Sequence, residues 1–174
     1  MLGVDCGEFN TLGWLHLHHE MVPSQVRFSV TGKTVVASVA HIGASGTIGD
    51  DMPALKAWMD FKGVERAGRP FCLFFDNPRE TPEEEPRSEA CIPILRPFLP
   101  EGKFRTKELP ETAVAEMKHE GSPDEFYLTY ELFLESLING VYRILGPARE
   151  YYTAMTEVKG PRTSFLIQQP IAKE

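Results

Sequence analysis

The sequence predicts an α+β fold built from two βαββ units related by a pseudo-twofold axis. Three observations carry this expectation. Short runs rich in β-branched and aromatic residues are separated by turn-forming residues. Two longer segments place apolar residues at helical spacing behind recognisable start signals. Residues also recur in order along the chain: His41 and His119, Gly43 and Gly121, and Gly68 and Gly146 are 78 apart, while Pro70 and Pro147, Pro93 and Pro170, and Ile94 and Ile171 are 77 apart.

Residues 1–24 stand outside this pattern. They are rich in Gly and His, have weak periodicity and end near Pro23, so they read as an N-terminal extension with one short strand over Trp14–His18. The first unit, about 25–100, opens with VRFSV and TVVASVAHIG around Gly32-Lys33, which read as two strands or a hairpin. A helix follows, with Pro53 in its first turn and Asp50 and Asp51 available as caps. Met52, Leu55 and Met59 give it an apolar stripe with Trp58 at its margin, and Gly63 ends it. Pro70–Phe75 then reads as a buried strand, residues 76–88 as a surface loop with the acidic run Glu83–Glu85, and Glu89–Leu95 as another strand.

The second unit, about 104–174, repeats the order. Thr112–Gly121 reads as a strand, and Ser122-Pro123-Asp124-Glu125 combines an N-cap Ser, an N1 Pro and a capping-box Glu. Phe126, Tyr130, Phe133, Leu134, Leu137 and Ile138 line one face of the helix that follows, which stops near Gly140. REYYTAM and Thr163–Ile171 read as closing strands. Each unit would lay its helix on one sheet face, leaving the opposite faces to form a shared cleft.

Composition narrows the function. A chain of 174 residues with 42% hydrophobic residues can bury about 70% of its unfolded surface, and needs no metal or disulfide to fold. Eighteen Lys and Arg against 25 Asp and Glu leave a net charge of −7, the wrong sign for a protein that gains affinity by neutralising phosphates. Direct nucleic-acid binding is therefore not expected. Cys6, Cys72 and Cys91 are odd in number and lack CxxC spacing, so they read as small buried hydrophobes in a reducing compartment. No apolar run has membrane-spanning length, and the first residues lack a basic, then apolar, leader pattern. The expectation is a cytoplasmic protein without a membrane partner.

Five segments together carry a family resemblance: VVASVAHIG, FFDNPRETPEEEPRSEACIPI, VAEMKHEGSPDEFYLTYELFLESL, GPAREYYT and FLIQQPIAK. Over about residues 25–174 the chain resembles the GyrI-like small-molecule-binding domain, which also serves as the effector-binding domain of AraC- and MerR-type multidrug regulators. The resemblance implies a concave antiparallel sheet with two long helices and a central ligand cleft, and it implies no cofactor. No helix-turn-helix accompanies it, and the short acidic extension has no room for one, so the chain resembles a stand-alone effector-binding domain.

Glu150 in GPAREYYT occupies the family's acidic strand position. Strand alternation puts Tyr152 on the same face, and a carboxylate beside aromatic rings suits a cation. Tyr151 is as aromatic as Tyr152, so this assignment turns on register. At an offset of 77, Leu73 and Phe75 take the places of Glu150 and Tyr152 in the first unit, giving a cleft with one polar wall. Phe71 and Phe75 share a strand face and are candidates for the other wall. Trp58 and Tyr127 lie off the most apolar line of their helices and are candidates to border the cleft, whereas Phe126, Tyr130 and Phe133 read as helix core.

His41 and His119 are equivalent in the repeat. They read either as a haem or metal pair, given that the SOUL haem-binding proteins have a similar repeated architecture, or more simply as imidazoles hydrogen-bonded near their turns. His16, His18, His19 and Glu20 complete no standard metal spacing, and no metal site is expected.

Three functions follow. The first is a module binding an amphipathic or cationic, multidrug-like molecule through Glu150, Tyr152, Trp58, Phe71, Phe75 and Tyr127. The second, also implied by the resemblance, is a hydrolase of reactive cyclopropane-bearing compounds, with Glu150 as acid or base and Tyr152 orienting substrate or water. The third is a protein-interaction regulator of the DNA gyrase inhibitor type, in which acidic charge meets a basic partner.

Overall fold

The computed structural model describes residues 26–76, 81–82, 84–140, 142–152 and 163–173. The expected extension, its short strand, its histidine cluster and Cys6 lie outside these residues. In chain order the elements are β1 (Arg27–Thr31), β2 (Thr34–Ile42), a 3₁₀ turn (Ser45–Asp50), α1 (Asp51–Lys62), β3 (Phe71–Phe74), β4 (Arg87–Pro93), β5 (Phe104–Leu109), β6 (Thr112–Gly121), α2 (Pro123–Asn139), β7 (Tyr142–Ile144), β8 (Ala148–Tyr152) and β9 (Thr163–Lys173). The nine strands form a mostly antiparallel sheet carrying two helices, an α+β fold.

Strand order across the sheet is β1-β6-β9-β8-β3-β4-β2-β5, and β7 pairs with the far end of β9. The hairpin alternative for the first two strands does not form: β1 pairs with β6, and β2 lies between β4 and β5. Sequence inspection missed β5 and β7. FRTKEL carries three charges in six residues, as suits the sheet edge that β5 forms, and β7 has only three residues. Among the described residues, no helix is long and apolar enough to cross a membrane.

The start of α1 differs from expectation. The 3₁₀ turn runs directly into the helix, so Asp50 has helical φ and ψ of −80° and −24° and makes no side-chain capping bond. Asp51 does the local work instead: its carboxylate meets His41 Nδ1 at 2.8 Å and Lys103 Nζ at 2.7 Å. Burial acts to raise the Asp51 pKa, but the hydrogen bonds from Lys103 and His41 outweigh it and hold the group below its usual range. The helix ends as expected at Gly63, whose φ of 67° is the left-handed conformation that glycine adopts without a Cβ clash. At α2 the expected capping box is present, with the Ser122 backbone N–H donating to the Glu125 carboxylate at 2.7 Å.

Both helices pack on the same face of the sheet. Met52, Leu55 and Met59 of α1 pack with Ala37, Val39, Cys72, Ala90 and Ile92. Phe133 and Leu137 of α2 pack with Ala115, Met117, Phe165, Ile167 and Ile171. Each buried Leu, Met or Phe contributes about 2 kcal/mol through apolar area removed from water. The opposite face carries Val36, Phe71, Leu73 and Cys91, with Tyr151 stacked on Phe71 at 4.8 Å between ring centroids. Across the same face, Arg149, Gln168 and Glu116 form a row, in which Gln168 donates to Glu116 at 2.7 Å.

Candidate functional site

The middle of the sheet is the β3–β8 pair, and there Cys72 lies opposite Glu150. Both side chains are on the helix-covered face, between the cluster under α1 and the cluster under α2. Glu150 is 4% exposed, and Tyr152 donates a hydrogen bond to its carboxylate. Tyr152 packs against both clusters, so this acid–phenol pair sits at their junction. The Tyr152 ring lies 5.3 Å from Phe165, Phe165 lies 4.8 Å from Phe126, and Phe126 meets Tyr130 edge-on at 5.4 Å.

The electrostatics follow from burial. Desolvation pushes the Glu150 carboxyl up to about 7, opposed only by the hydrogen bond from Tyr152. Burial likewise pushes the Cys72 thiol up to about 12, helped by the charge of Glu150. Burial and the same carboxylate hold the Tyr130 and Tyr152 phenols well above their usual range. No cation stands beside Glu150 among the described residues. A thiol this reluctant to ionise is a poor nucleophile, whereas a carboxyl near neutrality can exchange a proton or accept a counter-cation.

The geometry joins Glu150 and Tyr152 and separates Phe71, Phe75 and Trp58 from them. Phe71 lies on the opposite sheet face, stacked on Tyr151. Phe75 falls just past β3, is 43% exposed, and has Lys107 Nζ 5.6 Å from its ring, so it does not face Glu150 either. The reason is register: Glu150 pairs with Cys72, one residue from the Leu73 equivalence that an offset of 77 gives. A shift of one residue exchanges the faces, so Cys72 and Phe74, not Phe71 and Phe75, share the face of Glu150. Trp58 lies between Phe98 and Phe104, each at 4.7 Å, over the edge strand β5, four strands from β8. Tyr127 donates to Glu131 one turn along α2.

Tyr130, Phe126, Phe165 and Cys72 are the neighbours that sequence reasoning did not assign to the site. Tyr130 and Phe126 lie on the apolar line of α2, and that line is the one that packs against the sheet where Glu150 emerges. The offset of 78 shared by the two histidines would have paired Cys72 with Glu150.

The two equivalent histidines hydrogen-bond near their turns. His41 bridges Asp51 and Thr47, each at 2.8 Å. His119 is 2% exposed and its Nδ1 lies 2.9 Å from Thr129 Oγ1, while its Nε2 has no partner among the described residues. The described residues hold no group of three or more potential metal ligands.

These features agree with the comparisons. The model of the GyrI-like small molecule binding domain matches residues 25–163, and the chain belongs to that family. Its fold is similar to the C-terminal domain of EcmrR, with a TM-score of 0.73 and 20% identity over 86% of this chain and 98% of that one. In the EcmrR–DNA complex the chain spans 63% of the EcmrR chain, at 17% identity and a TM-score of 0.74. A hydrolase encoded by lin2189 from Listeria innocua shares the fold at a TM-score of 0.61 and 9% identity, over 92% of this chain and 98% of that one. SAV2435, solved bound to tetraphenylphosphonium, does so at 0.55 and 10%, over 85% and 94%. No curated protein matches the sequence.

Proposed function

We propose that the domain takes up an amphipathic or cationic small molecule in a cleft between the sheet and its two helices, as an effector-binding or sequestering module. The observation that carries this reading is the buried Glu150 carboxyl, with a phenol as its hydrogen-bond partner and no cation beside it among the described residues. Burying a lone carboxylate is unfavourable, and a cationic ligand would supply the missing counter-charge. Tyr152, Tyr130 and Phe165 would add π faces to the same ligand. The tetraphenylphosphonium bound by SAV2435 is a molecule of this chemistry on a similar fold.

The cleft reading rests on two repeats within one domain of residues 25–174, with residues 1–24 as an extension. The strand order supports this, because it reads the same after exchanging β1 with β5, β2 with β6, β3 with β8 and β4 with β9. Register supports it further. Cys72 and Glu150 are 78 residues apart and are paired, as a pseudo-twofold axis passing between them would require. Ala37 pairs with Ile92 and Ala115 with Gln169, so the offset falls to 77 only between β3 and β4.

A second reading, hydrolysis, is favoured by the Glu150 carboxyl near 7, which suits a general acid or base at neutral pH. One experiment separates the two. The protein and Glu150→Gln are incubated with tetraphenylphosphonium, cationic dyes and cyclopropane-bearing compounds, followed by calorimetry and mass spectrometry. Binding without conversion, weakened at least tenfold by Glu150→Gln, is the expected result (about 1.4 kcal/mol). A product heavier by one water, lost in Glu150→Gln, would establish the hydrolase instead. Neither binding nor conversion would remove the cleft reading.

A further inference from the structure

We infer that the α2 side of this site is a hydrogen-bonding subsite, built from His119 Nε2 and the Tyr130 hydroxyl, that selects aromatic cations bearing a hydroxyl group. The inference rests on the cation-binding reading and adds a second recognition point to it.

Proton accounting identifies the first group. The Thr129 hydroxyl lies 3.2 Å from the Glu125 carbonyl oxygen and donates its proton there. It can then only accept from His119, so the proton on that ring is at Nδ1, 2.9 Å from Thr129 Oγ1. Nε2 is left as a bare acceptor, 98% buried by residue exposure and without a partner among the described residues. Burial lowers the His119 pKa and outweighs the neighbouring Ser122 backbone and the Glu125 charge, which raise it, so the net direction favours this neutral form. A buried acceptor left unmade is unfavourable, and such a group is a mark of a ligand or an ordered water.

The second group stands nearby. Phe126 meets both the His119 ring, at 5.9 Å, and the Tyr130 ring, at 5.4 Å, edge-on. Among the described residues no hydrogen bond engages the Tyr130 hydroxyl. One group is thus an acceptor and the other a donor. An alcohol or phenol answers both, donating to Nε2 and accepting from Tyr130. The His119 ring is 4.9 Å from Phe165, which in turn is 5.3 Å from Tyr152, the partner of Glu150. In this reading a single aromatic cation lies along Phe165 with its charge toward Glu150 and its hydroxyl toward α2.

The test uses a matched pair of probes, tetraphenylphosphonium and (4-hydroxyphenyl)triphenylphosphonium, titrated calorimetrically into the whole chain. The wild type is expected to bind the hydroxylated probe about tenfold more tightly, the scale of one buried hydrogen bond. In Tyr130→Phe and in His119→Asn the ratio of the two affinities should fall to about one. Asn retains a side-chain nitrogen near the place of Nδ1, so it can keep the Thr129 bond while deleting Nε2, and Tyr130→Phe tests the same subsite if His119→Asn does not fold. Glu150→Gln should weaken both probes together. Equal affinities in the wild type, or a preference that survives both α2 variants, would overturn the subsite while leaving cation binding standing. Failure of either phosphonium to bind the wild type would instead remove the cation-binding reading and the subsite with it.

Discussion

At the centre of the sheet the two halves of the molecule meet in one pair of side chains, and they contribute opposite chemistry. The first half supplies Cys72 and, above it, a helix face of Met52, Leu55 and Met59. The second half supplies Glu150 and, near it, Tyr152, Tyr130 and Phe126. The histidines diverge in the same way. His41 has both nitrogens engaged, by Asp51 and Thr47, whereas His119 is deeper and has one nitrogen open. Both halves thus hold the scaffold with an apolar core, and the polar groups gather on the second half's side of the junction between them.

Truncating either apolar core should therefore have the largest effect on stability. Leu55→Ala and Phe133→Ala, both at fully buried positions, are each expected to lower the unfolding free energy by about 2–5 kcal/mol in urea titrations. Losses near zero would mean that the helices are not packed on the sheet as described.

Glu150 should behave in the opposite sense. Its carboxyl is raised from 4.5 to about 7 on folding, so between those values the unfolded chain has lost its proton and the native one has kept it. Stability from this group is therefore full below about pH 4.5, falls as the pH rises toward 7, and then levels off, a span of about 3 kcal/mol. Glu150→Gln should abolish that slope and gain on the wild type at pH 8 relative to pH 4. Parallel stability–pH curves would show that the carboxyl is not buried in the native state.

A smaller effect separates the histidines. His41→Ala removes two hydrogen bonds at the start of α1 and should cost about 1–2 kcal/mol, with amide exchange quickened first in that helix. His119→Asn should cost less, because the Thr129 contact can be kept. The reverse order would mean that His119, not His41, is the structural member of the pair. The mildest test is chemical. Cys72 and Cys91 are buried with raised thiol pKa values, so in Cys6→Ser neither should react with a thiol reagent at pH 8 until the protein unfolds.

Much of the scaffold was legible along the chain because its signals are local. The Ser122–Glu125 box marked α2, Gly63 closed α1, and alternation put Glu150 and Tyr152 on one strand face. The order of strands and helices read along the chain is the one the described residues follow, with β5 and β7 added. Local signals say nothing of which strand lies beside which, and so the separation of β1 from β2 was not legible. Nor was the one-residue choice between Leu73 and Cys72 as the neighbour of Glu150. That choice belongs to cross-strand register, and with period two it decides the face of every side chain, sending Phe71 away from the site and Phe74 toward it. The sequence determined which residues could carry charge, hydrogen bonds and apolar surface. Only the packing of the sheet under two helices decided that a carboxyl would be desolvated, that Tyr130 would lie near it and that one imidazole nitrogen would be left open, because burial is a property of what covers a group and not of its neighbours in the chain.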